Sequence, residues 1–130
     1  MVLYRLHVAA VLVFVVAIVI QVFLAGAAIA NLGGSGNFDT HREFGFTAVG
    51  IVALAVLVTS LLARLPRREV GISLGLFALY FIQTLLPGMK SVSPVFGALH
   101  PVNALFLFGL SFWYARRVWR GMSARAGVAG

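Results

Sequence analysis

Cysteine is missing from the chain altogether. Its absence excludes disulfides, thiolate metal sites and covalently attached c-type haem, and leaves histidine and oxygen donors to hold any metal or cofactor. Acidic residues are nearly as scarce, since Asp39, Glu43 and Glu69 are the only three. No Asp, Glu, Lys or Arg falls deep within an apolar run, so ion-coupled transport along a chain of carboxylates has no residues to use. Charged residues make up 10% of the chain and hydrophobic ones 62%, a balance foreign to ordinary soluble domains.

What is present is long and apolar. A helical membrane span needs roughly 20 apolar residues, and backbone facing lipid must be helical or part of a closed barrel. Four segments qualify as spans: Tyr4–Ala30, His41–Ala63, Val70–Leu86 and Pro94–Ala115. Short connections make consecutive helices antiparallel neighbours. The expected fold is therefore all-α, a four-transmembrane-helix up-and-down bundle over residues 1–120, with 121–130 as a frayed cytoplasmic tail. The N-terminus imitates a secretory signal, but its apolar run exceeds a typical signal core and reads as the first span. Asn37 or Asp39 is suited to cap the second helix, Glu69 to sit in the first turn of the third, and Ser93-Pro94 to open the fourth. No internal sequence repeat is visible.

Arg5, Arg64, Arg67, Arg68, Arg116, Arg117, Arg120 and Arg125 fall on one side of these spans, and only Arg42 and Lys90 on the other. Basic residues are retained in cytoplasmic loops, so both chain ends are expected inside, with Tyr4, Trp113, Tyr114 and Trp119 as an aromatic belt at the same interface. The net charge of +7 is explained by topology and anionic lipid headgroups, with no nucleic acid partner. The expected setting is a prokaryotic plasma membrane, with the lipid bilayer, other membrane subunits or a second copy as neighbours.

Polar residues inside the spans are few. His41 opens the second span and His100 lies early in the fourth, so both belong to the outer half of the bilayer, on helices diagonal across the core. With neighbouring axes about 8–10 Å apart, the diagonal is roughly 11–14 Å. That gap is too wide for the imidazoles to touch and suits two imidazoles with a metal macrocycle between them, as in a non-covalent haem b. Gly45 and Ala48 beside His41, and Gly97 and Ala104 beside His100, leave room for a flat ring. Pro101 frees the Gly97 carbonyl, which is then available to the His100 ring. Arg42 and Lys90 are placed to meet propionates, and Phe96 to touch the cofactor. Gln21 and Gln83 fall at the level of His100 on the other diagonal pair, either to bond a cofactor edge or each other, or to fix bundle register. His7 reads as an interfacial residue. Counting about 1.5 Å per residue from Arg64 and Arg116 sets His41 about 10 Å farther out than His100.

Two histidines at the outer ends of the second and fourth helices, the first followed by Arg, resemble one half of the haem A synthase fold. The stretch Gln21-Val22-Phe23-Leu24-Ala25-Gly26, the glycine-rich Gly33-Gly34-Ser35-Gly36 and the pair His41-Arg42 are similar to that family's first half. The resemblance implies a haem-binding bundle with His41 and His100 as axial ligands. That family carries a Glu three residues before the His-Arg pair, where this chain has Phe38, and its outer-loop cysteines have no counterpart here.

Together these residues point to an integral membrane b-type haem protein that transfers electrons or serves as a haem-bearing subunit, rather than an enzyme on its own. Two other classes stay open: a structural membrane subunit without cofactor, and a haem-modifying enzyme.

Overall fold

Apolar residues on every side of the first segment leave it no face for water, and it forms one uninterrupted helix, α1 (Val2–Ile29). The computed structural model describes residues 1–34 and 36–127, so Ser35 of the glycine-rich stretch and residues 128–130 of the expected tail lie outside it. Three further helices follow: α2 (Asp39–Leu62), α3 (Arg67–Leu85) and α4 (Pro94–Gly127). A single 3₁₀ turn, Gly88–Ser91, precedes α4, and α2 widens into a π-turn over Gly45–Val49. Among the described residues there is no strand.

The helix ends follow from local chemistry. Both α1 and α2 finish with the backbone reversing through a left-handed residue, Asn31 (φ 54°) and Arg64 (φ 48°). In each, the following amide reaches back to a carbonyl five residues earlier, Leu32 to Ala27 at 2.9 Å and Leu65 to Ser60 at 3.1 Å, which satisfies an orphaned helix carbonyl. Asn37 Oδ1 accepts from the Asp39 amide at the start of α2, and Ser93 Oγ from the Val95 amide at the start of α4. Pro66 ends the turn between α2 and α3, and Glu69 occupies the first turn of α3.

The fourth helix departs from expectation. It passes through Pro101 and continues beyond Ala115 to Gly127, taking in residues expected to fray. No proline follows Ala115 and, among the described residues, no left-handed glycine does, while Arg116, Arg117 and Arg120 suit a helix C-terminal half.

α1 packs against α2 and α4, and α3 packs against the same two helices, so the four close into a ring with α2 and α4 facing across it. The core is narrow: Val8, Val11, Phe14, Ala17 and Ile18 from α1 meet Val49, Ala53 and Val56, Leu76, and Leu107, Tyr114 and Val118. Large apolar side chains such as Phe23, Ile51, Leu74 and Leu105 point outward. Segments Val2–Ile29, Asp39–Leu62 and Pro94–Ala124 are long and apolar enough to cross a membrane, the signature of an integral membrane protein. α3 carries Arg67, Arg68 and Glu69 in its first turn, which shortens its apolar stretch.

Candidate functional site

At the end of the bundle away from Val2, His41 of α2 and His100 of α4 bring their rings to a centroid separation of 6.3 Å with planes at 73°. Both are half-buried. His41 Nδ1 lies 3.0 Å from the main-chain oxygen of Gln21, and His100 Nδ1 lies 3.1 Å from that of Gln83. A carbonyl only accepts, so each Nδ1 carries the proton and each Nε2 presents its lone pair. Those lone pairs face amide donors, Gln21 Nε2 at 3.2 Å from His41 Nε2 and Gln83 Nε2 at 3.2 Å from His100 Nε2.

The same two bonds therefore occur twice, once between α1 and α2 and once between α3 and α4. The pairs are 20 residues apart in the first half and 17 in the second, which hides the repetition from a direct reading of the sequence. The halves differ in how the glutamine is held. Asn103 donates to Gln83 Oε1 at 2.7 Å and to the Leu79 carbonyl at 3.0 Å. Gln21 instead donates to the His41 carbonyl at 2.8 Å, and its Oε1 is buried without a hydrogen-bond partner.

Several expectations are corrected here. The glutamines bond the histidines, not each other. The Gly97 carbonyl is not the acceptor for His100, whose ring reaches across to α3 instead. Gly45 makes room for the Gln21 amide, since a Cβ there would stand 2.6 Å from Gln21 Nε2, whereas a Cβ at Gly97 would meet only the Lys90 Cβ, at an ordinary contact distance of 3.5 Å. Ala48, Phe96 and Ala104 are half-buried on the same helices. Arg42 and Lys90 are exposed, Arg42 paired with Asp39. The offset in depth is absorbed at the far ends of α2 and α4, because Arg64 lies in the turn after α2 while Arg116 lies well inside α4. Thr59, not Arg64, stands level with Tyr114, as both bond His7.

His7 itself is a residue that sequence reasoning misplaced. It is fully buried, with Nδ1 3.0 Å from Thr59 Oγ1 and Nε2 2.9 Å from the Tyr114 hydroxyl. Ser73 Oγ lies 3.4 Å from that hydroxyl, and Arg117 pairs with Glu69 at 2.7 Å. A visible signal existed: His7, Glu69 and Tyr114 lie 14 residues from Gln21, Gln83 and His100 respectively, so all three occupy one level of the bundle.

The chemistry open to the outer pair is restricted. Among the described residues no group of three or more His, Cys, Asp or Glu side chains converges as a metal site. Two imidazoles suit a metal that brings its own equatorial donors.

Residues 21–89, more than half of the chain, match the sequence profile of a family of unknown function, DUF6220. The chain belongs to that family. The match in DUF6220 runs from Gln21 to Met89 and so holds the whole Gln21–His41 pair and Gln83, while His100 lies beyond it. Neither the curated proteins nor the solved structures contain a match to the chain.

Proposed function

We propose that this protein is an integral membrane b-type cytochrome that holds one non-covalent haem between His41 and His100. The observation that carries the reading is the matched pair of Nδ1–carbonyl bonds, at 3.0 and 3.1 Å, on rings 6.3 Å apart. A second hydrogen bond on the non-ligating nitrogen fixes the tautomer and orientation that an axial histidine needs. The residues fit the group: two neutral imidazoles, an orphaned buried amide oxygen on Gln21, and two exterior cations, Arg42 and Lys90, for the propionates. Gln21 and Gln83, whose amides lie beside the two Nε2 atoms, would stand at the cofactor edge. A haem with both axial positions taken supplies one-electron transfer, which favours electron carriage or service as a haem-bearing subunit over substrate chemistry. The resemblance to one half of haem A synthase supports the same assignment.

The reading includes the membrane arrangement. α3 completes four spans, its charged first turn lying at the inner interface beside the other arginines. Both chain ends face the cytoplasm of a prokaryotic cell, which puts the histidines near the outer face.

A second reading has its own support. In the structure the glutamine amides already satisfy both Nε2 atoms, so the outer cluster also works as interhelical polar contacts in a cofactor-free structural subunit. Absorption spectra, oxidised and reduced, of the purified protein after haem supplementation decide between them. The haem reading expects a low-spin six-coordinate spectrum that becomes high-spin or vanishes in His41→Ala and in His100→Ala. No Soret band in the wild type leaves the structural reading, and a low-spin spectrum surviving both substitutions removes this ligand pair.

A further inference from the structure

The π-turn at Gly45–Val49 sits directly inward of His41. Deeper in α2 the buried positions are Val49, Ala53, Val56 and Ser60, at ordinary helical spacing. Extended outward at 3.6 residues per turn, that stripe reaches position 42, not 41, and one residue is about 100° of rotation. The observed inward positions are instead His41, Gly45 and Val49, four residues apart. The extra residue in the π-turn is thus what directs His41 to the core and leaves Arg42 exposed.

A widened turn leaves carbonyls without their usual amide partners, and it persists only where something else satisfies them. Tyr80, from α3, does so. Its hydroxyl lies 3.2 Å from the Gly45 oxygen and 3.4 Å from that of Phe46. Gly50 admits it, because a Cβ there would lie 2.5 Å from the Tyr80 oxygen. Thr47 Oγ1 donates to the Glu43 carbonyl at 2.7 Å in the same region.

We infer that Tyr80 is a positioning residue for His41: by holding the π-turn of α2 from the neighbouring helix, it sets the direction and angle at which the His41 ring meets its partner. The role rests on the haem reading of the histidine pair. It does not touch the cofactor and acts through the backbone of α2 alone.

The test compares wild type, Tyr80→Phe, Gly50→Ala and Tyr4→Phe, each reconstituted with haem b. Tyr4→Phe is the control, since it removes a hydroxyl bonded to the Val118 carbonyl at the inner end. Low-temperature electron paramagnetic resonance of the ferric proteins reports the angle between axial imidazole planes. Nuclear magnetic resonance of the haem-free proteins reports the His41 Nδ1 proton. Tyr80→Phe and Gly50→Ala are expected to shift both signals and to raise the haem dissociation constant roughly 2- to 10-fold, the equivalent of one hydrogen bond. Tyr4→Phe is expected to change none of them. A Tyr80→Phe protein with wild-type signals in both measurements overturns the role and spares the haem reading. A wild type that takes up no haem overturns both.

Discussion

Asn103 donates to the Gln83 side-chain oxygen at 2.7 Å and so determines which end of that amide faces His100. The amide nitrogen is left to point at His100 Nε2, whereas Gln21, without such a neighbour, bonds the His41 backbone with one proton and has an unpartnered oxygen. The two halves of the site make the same contacts with unequal support.

Removing the better-supported amide therefore costs more. Gln83→Leu leaves the His100 nitrogen unbonded and Asn103 with the Leu79 carbonyl alone, while Gln21→Leu frees the His41 nitrogen and carbonyl but also removes an orphaned oxygen. Membrane-buried hydrogen bonds contribute about 0.6 kcal/mol each on average. Gln83→Leu is expected to lower stability by about 1–2 kcal/mol in detergent unfolding, and Gln21→Leu by less than half as much. Equal losses would show that Asn103 has no part in holding the amide.

The inner cluster separates stability from ligation. His7→Phe leaves the Tyr114 hydroxyl and Thr59 without their ring partner, at an expected cost of about 1–3 kcal/mol in the same unfolding assay. On the haem reading its spectrum should match wild type, because His7 is 14 residues, or about 21 Å of helix, from the level of Gln21. A change in the low-spin bands of this variant would place His7 among the ligands.

Orientation is independent of any cofactor. Ser91 lies exposed in the 3₁₀ turn before α4, and Ser123 lies exposed near the far end of that helix. In whole cells, an impermeant thiol reagent should label Ser91→Cys and spare Ser123→Cys. The opposite pattern would reverse the proposed orientation and remove the propionate role proposed for Arg42 and Lys90.

Much of the arrangement was legible in the sequence because it depends on counting. Long apolar runs marked the helices, breakers such as Pro66 and Ser93-Pro94 marked their ends, and residue counts from the basic clusters set Gln21, Gln83 and His100 at one level. Counting failed for His41, because Arg64 and Arg116 do not end their helices at a common depth. It also missed the π-turn, which places one extra residue in a run whose composition looks helical throughout. The acceptors for both histidines are main-chain carbonyls, and a carbonyl has no letter in the sequence. His7, two positions from Arg5, looks interfacial until the polar residues at the same depth on α2, α3 and α4 are set beside it.

The repeated Gln–His pairing has a consequence for any asymmetric planar ligand. Exchanging α1 and α2 with α3 and α4 amounts to half a turn about an axis running along the bundle, and that axis lies between the two imidazoles. Haem b lacks this symmetry, because its vinyl substituents distinguish one side from the other. On the haem reading, the macrocycle meets nearly the same surroundings in either of its two facings, with the propionates outward in both. Only local differences such as Asn103 beside Gln83, and Phe38 packed edge-on against His41 at 5.9 Å, separate them in energy. The bound cofactor is then a mixture of two orientational isomers, distinguishable by paired haem-methyl resonances.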